Sequence, residues 1–86
     1  MDRVYFPELK AYRMKAGLSI KQLSKLTGVD QKIITLLESG EEIEAIVFSR
    51  IAKALNKILK KKKEPLIDLD FIMDEHDDDE NDSIFF

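Results

Sequence analysis

The chain of 86 residues has no cysteine, one histidine, three glycines and two prolines. Without cysteine there is no disulfide, no thiolate metal site and no cysteine nucleophile. The lone His76 sits in an acidic stretch, Asp74-Glu75-His76-Asp77-Asp78-Asp79-Glu80, with no loop glycine or ligand spacing of a built cation site. No glycine-rich phosphate loop is present either, so an enzyme is not expected, nor is a metal or cofactor. No apolar run exceeds four residues, which is too short to span a bilayer. The first five residues carry no signal-peptide apolar stretch. A cytoplasmic location is expected. A chain this short forms one small domain with a limited core, which dimerisation would help to stabilise. Scarce glycine and proline among good helix formers point to a mostly helical body.

Charge is divided along the chain. Up to residue 63 there are 14 Lys and Arg against 7 Asp and Glu; beyond it there are 10 Asp and Glu and no Lys or Arg. A basic body suits a polyanion, because cations placed on phosphates release condensed counterions. An acidic tail suits a competitor for that polyanion, or a contact with another basic surface.

Four helices are legible. Pro7 suits a first helical turn, and Leu9, Tyr12 and Ala16 share one face of a helix over 8–16, closed by Gly17. Ser19 and Gln22 have capping-box spacing and open a second helix over 20–27, with Leu23 and Leu26 facing inward. After Gly28 and Val29, Asp30 suits the N-cap of a third helix over 31–39, with Ile34 and Leu37 inward and Gly40 at its end. Residues 41–44 read as a loop. A fourth helix over 45–62 keeps Phe48, Ile51, Ala52, Leu55, Ile58 and Leu59 in helical period, places residues 60–63 at its favourable C-terminus, and stops at Glu64 and Pro65. Ile67-Asp68-Leu69-Asp70-Phe71 alternates apolar and acidic, a strand signal without a partner strand in the chain. Residues 74–86 read as an acidic tail, expected to be disordered alone and ending in Phe85 and Phe86.

Two short helices joined by a glycine turn are the unit whose second helix enters a DNA major groove. The ordered set Arg13, Gly17-Leu18-Ser19-Ile20-Lys21-Gln22-Leu23-Ser24, Gly28-Val29, Ile34, Leu37-Glu38-Ser39-Gly40, Phe48 and Ile51-Ala52-Lys53-Ala54-Leu55 resembles the Cro/cI-type (Xre) helix-turn-helix family over roughly residues 9–56. The alternating pattern makes 64–73 a short strand for dimerisation or partner binding and composition makes 74–86 the acidic tail, while the resemblance implies an all-α bundle of four to five helices over residues 1–63. It implies a structural ion pair of Arg13 with Glu38. It puts Gln31, Lys32 and Thr35 on the groove-facing side of the recognition helix, with Ser39 at that helix's end, and Ser19 and Lys21 at the phosphate-contacting start of the second helix. Leu9, Tyr12, Leu18, Leu23, Leu26, Val29, Ile34, Leu37, Phe48, Ile51 and Leu55 match core positions, and Met14, like Tyr12, reads as a packing residue. Chemically, Gln31 can pair with adenine, Lys32 can donate to guanine or phosphate, and Thr35 can pack on a thymine methyl.

Four features depart from the pattern. Ser24 replaces the usual alanine, Ile20 stands where a glutamine is common, the Glu41-Glu42 loop is acidic, and Ile33 and Leu36 are apolar on or beside the groove-facing side. The expected function is a dimeric, autoregulatory repressor on double-stranded operator DNA. Its dimer or partner contacts would come from Ile67, Leu69, Phe71, Phe85 and Phe86. The layout is also similar to that of HipB-like and HigA-like antitoxins, which would make a toxin the partner of the C-terminal segment. The alternative is a protein-interaction module on the same scaffold, with Ile33 and Leu36 contacting a protein and the tail mimicking nucleic acid. Residues 60–63 are open to three uses: phosphate, the acidic tail, or solvent alone.

Overall fold

A computed structural model describes residues 2–69. The elements run β1 (Arg3–Val4), α1 (Leu9–Lys15), α2 (Ile20–Thr27), α3 (Gln31–Glu38), β2 (Ile43–Glu44) and α4 (Ala45–Lys61). The result is a small helical bundle with one two-stranded antiparallel sheet, in which Arg3 pairs with Glu44 and Val4 with Ile43. Helices of seven or eight residues, such as α1, α2 and α3, are marginal alone in water. They persist here because each has defined ends and a buried stripe.

The helix ends follow the sequence closely. Three of them close in the same way, with two backbone bonds folding the chain back. After α1, Gly17 N–H donates to Met14 and Leu18 N–H to Arg13; after α3, Gly40 donates to Leu37 and Glu41 to Leu36; after α4, Lys63 donates to Lys60 and Glu64 to Leu59. This Schellman arrangement requires a left-handed residue after the cap. Glycine fills that place after α1 and α3, but Lys63 fills it after α4, at φ 58°. The fourth helix is therefore stopped by a left-handed lysine one residue ahead of the Glu64-Pro65 break.

The core centres on Phe48, with Leu9, Leu23, Ile34, Leu37, Ile51, Leu55 and Leu59 also fully buried. Burying a side chain of this size contributes roughly 1.5–3 kcal/mol. Phe6 stacks on Tyr12 at 5.7 Å between centroids and meets Phe48 edge-on at 5.3 Å. Val4 and Ile43 add the sheet's buried side. The N-terminal segment thus folds across the loop before α4, where Ala45 N–H donates to Asp2 C=O and Arg3 Nη2 to Glu42 C=O at 2.7 Å.

Four expectations need correction. Leu26 is 54% exposed, because Thr27 takes the inward position of α2 and ties its hydroxyl to Leu23 C=O at 2.8 Å. Met14, read as a packing residue, is 62% exposed, because Arg13 turns inward beside it. The 41–44 loop contains β2. The strand expected from residue 67 does not form over 67–69. The Ile67 N–H donates to Asn56 Oδ1 at 2.8 Å, and Asn56 Nδ2 donates to Ile67 C=O at 3.0 Å, so both backbone groups are already used. Residues 70–86, including Phe71, Phe85 and Phe86, lie outside the described residues.

Lys63→Gly should raise stability by about 0.5–1 kcal/mol relative to Lys63→Ala, because only glycine removes the left-handed cost. Thermal unfolding reads this directly, as a Tm several degrees higher for the glycine variant; equal Tm values would deny that Lys63 is strained.

Candidate nucleic-acid interface

The turn between α2 and α3 is held without long side chains. Gly28 sits in the left-handed region at φ 75°, and its N–H donates to Ser24 C=O at 2.8 Å. Ser24 Oγ donates to Val29 C=O at 2.6 Å, and Val29 N–H donates to Thr27 Oγ1 at 3.2 Å. Val29 is buried, which pins the turn to the core. A side chain at position 28 would meet no neighbour within 4 Å, so the backbone conformation alone calls for glycine there.

Both helices have capped starts. Ser19 Oγ accepts from Gln22 N–H at 3.0 Å, while Gln22 Oε1 accepts from Ser19 N–H at 2.9 Å, completing the capping box. Asp30 Oδ1 accepts from Lys32 N–H at 2.9 Å at the head of α3. Replacing such caps by alanine typically costs about 1 kcal/mol. Ile20, one of the departures from the family pattern, is half-buried and packs on the core.

The far end of α3 is fixed by Arg13. Its Nε donates to Glu38 Oε2 at 2.7 Å and its Nη2 to Glu38 Oε1 at 3.0 Å, while Nη1 donates to Leu18 C=O at 2.9 Å. The two side chains are 11% and 8% exposed. The hydrogen bond to Glu38 raises the Arg13 pKa from its already high value, against the lowering effect of burial. The ion pair implied by the resemblance is thus present, and it also binds the connection between α1 and α2.

With its ends fixed, α3 turns Ile34 and Leu37 into the core and presents Gln31, Lys32, Thr35, Leu36 and Ser39 to solvent. At about 100° per residue these five fall in one continuous outward arc. Gln31, Lys32 and Thr35 therefore share a face. Ser39 lies on it at the helix end, with its Oγ donating to Leu36 C=O at 2.8 Å. Ser19 and Lys21 are exposed at the start of α2. Leu36 borders the polar arc at 45% exposure, whereas Ile33 is half-buried and packs on the core, so it is not part of that surface. Ile67 is 3% exposed, its side chain in the chain's own core, and Leu69 is partly buried against that core. That burial takes the Ile67 side chain off the surface that a dimer or partner contact needs.

Sequence reasoning missed three features around the site. The Arg3 guanidinium on Glu42 C=O depends on strands of two residues, too short for a period-2 signal. The Asn56 clamp on Ile67 joins residues eleven apart and leaves no local trace. The row of basic residues on α4 extends well before residue 60, and the helical period of Arg50, Lys53 and Lys57 was the available signal.

Two capped helices around a glycine turn, the second exposing a polar and cationic face, define a helix-turn-helix domain. A helix-turn-helix family model matches residues 9–59, more than half of the chain, and the chain belongs to that family, the Cro/cI (Xre) type. It is a DNA-binding helix-turn-helix protein of the class found in transcription regulators. Comparison with curated proteins and with solved structures returns no match. Among the described residues, no helix is long and apolar enough to cross a membrane, and no group of His, Cys, Asp or Glu is placed to hold a metal ion.

Glu38→Ala should cost about 3 kcal/mol, because it strands a nearly buried guanidinium. The double change Arg13→Met with Glu38→Leu should cost clearly less than the two single changes added together. Urea unfolding of the four proteins measures this; strict additivity would mean that the pair does not couple α1 to α3.

Proposed function

We propose that this chain is a sequence-specific transcriptional repressor, acting as a dimer on an operator in its own control region. The observation that carries the reading is the outward arc of α3, where Gln31, Lys32 and Thr35 stand together on a helix fixed at both ends. Gln31 offers a donor and an acceptor to adenine, Lys32 a cation to guanine or phosphate, and Thr35 a methyl to thymine. Ser19 and Lys21 supply sequence-independent phosphate contacts that set the orientation.

Dimerisation is favoured because two recognition helices on successive major-groove faces read a two-fold site. The outer face of α4 does not suit the two-fold contact, since it is lined by cations that would face their own copies. The segment around the exposed Leu66 and partly buried Leu69 suits it better. An antitoxin role is a branch of this proposal, with the residues after 69 as the toxin contact. Exposed Leu26 and Leu36 favour a second reading, in which the same scaffold binds a protein.

The test is selection of duplexes from a random pool by the full chain, followed by two substitutions. Gln31→Ala should relax preference at one base pair by about 1–3 kcal/mol. Lys21→Ala should weaken all duplexes equally and reduce the salt slope by about one. Unchanged retention in both variants would remove the repressor reading and favour a protein partner.

A further inference from the structure

Helix α4 contains no acidic residue. At about 100° and 1.5 Å per residue, Arg50, Lys53, Lys57, Lys60 and Lys61 fall within an arc of about 100° and run about 16 Å along the axis. All five are exposed, and among the described residues none forms an ion pair with a carboxylate. The helix packs on α1, α2 and the two strands. Five like charges at i, i+3 and i+4 spacing repel one another, so a matching anion stabilises the row.

Ile67, in the segment that leads to the acidic run, is held beside this row. Asn56 holds both backbone groups of Ile67, and it lies three residues after Lys53 and four before Lys60, on the edge of the stripe. Beyond Leu69 the sequence continues for seventeen residues with eight Asp and Glu and no Lys or Arg. Seven of those carboxylates fall within residues 74–82. Thirteen residues of extended chain reach at most about 45 Å, far more than the stripe requires.

We propose that the acidic segment 74–82 docks on the α4 stripe of its own chain. Charge complementarity selects the face, and the Asn56 anchor makes the encounter intramolecular, with an effective concentration on the order of millimolar. A second copy meets this stripe with its own like-charged stripe, and its acidic segment competes only at the bulk protein concentration. The contact closes the stripe to other polyanions, and as a surface contact it is screened by salt, with a Debye length of about 8 Å at physiological ionic strength.

The test is zero-length carbodiimide cross-linking of the full chain, using an equal mixture of unlabelled and 15N-labelled protein and mapping the products by mass spectrometry. The expected products join carboxylates of residues 74–82 to Lys53, Lys57, Lys60 or Lys61 within one isotopic chain. They should be lost in sodium chloride at about 0.5 M, where screening is strong. Arg50→Gln combined with Lys53→Gln and Lys57→Gln should deplete the remaining products at Lys60 and Lys61 without lowering Tm. Products spread evenly over all lysines, concentrated on Lys21, Lys25 and Lys32, joining two isotopic chains, or absent would overturn the proposal. Stripe lysines protected from acetylation only when duplex DNA is added, with no tail product, would assign the stripe to DNA instead.

Discussion

The Arg13 guanidinium holds the arrangement together. It reaches across from α1 to grip the carboxylate of Glu38 at the end of α3 with two hydrogen bonds, and it satisfies the Leu18 carbonyl in the connection to α2. Two helices that meet only through tertiary contact, α1 and α3, and the turn that follows α1 are thereby fixed by one planar fork. The geometry suits arginine, whose donors are set in a rigid plane, and would not suit lysine. Burial makes the pair expensive to break and modest in net stability. Its chief effect is to fix the orientation of α3, whose outward arc is the proposed recognition surface.

The rest of the scaffold is economical. Short helices are defined by caps and left-handed closures rather than by length, and each spends its buried stripe on the Phe48-centred core. The N-terminal strand lies outside the matched family region and closes over the loop that follows α3. Through Arg3 it brings a cation to an acidic loop, and through Phe6 it extends the aromatic contacts of Phe48. The recognition helix is therefore braced at its head by Asp30, at its tail by Arg13 and, in the loop beyond, by the chain's first residues.

Much of this was legible in the sequence because the signals are local. Ser19 with Gln22, Asp30, Gly17, Gly28 and Gly40 each mark a helix boundary through their own backbone, and all four helices stand within a residue or two of expectation. What was not legible depended on partners distant in sequence. Leu26 and Thr27 are adjacent on α2, and only the neighbouring helices decide which one faces inward. Ile67 to Leu69 alternates like a strand, but an amide eleven residues back takes both of Ile67's backbone groups. At the site, the face shared by Gln31, Lys32 and Thr35 followed from helical period, while Ile33 proved to belong to the core and Leu36 to the surface.

The central claim is that the outward face of α3 reads DNA sequence on top of a salt-dependent grip on phosphate. The most direct measurement is equilibrium binding of the full chain to its selected duplex and to a scrambled duplex across a series of salt concentrations. The account predicts that log affinity falls linearly with log salt for both, with the selected duplex tighter at every point. Failure to bind any duplex at low salt, or selected and scrambled duplexes of equal affinity throughout, would contradict it.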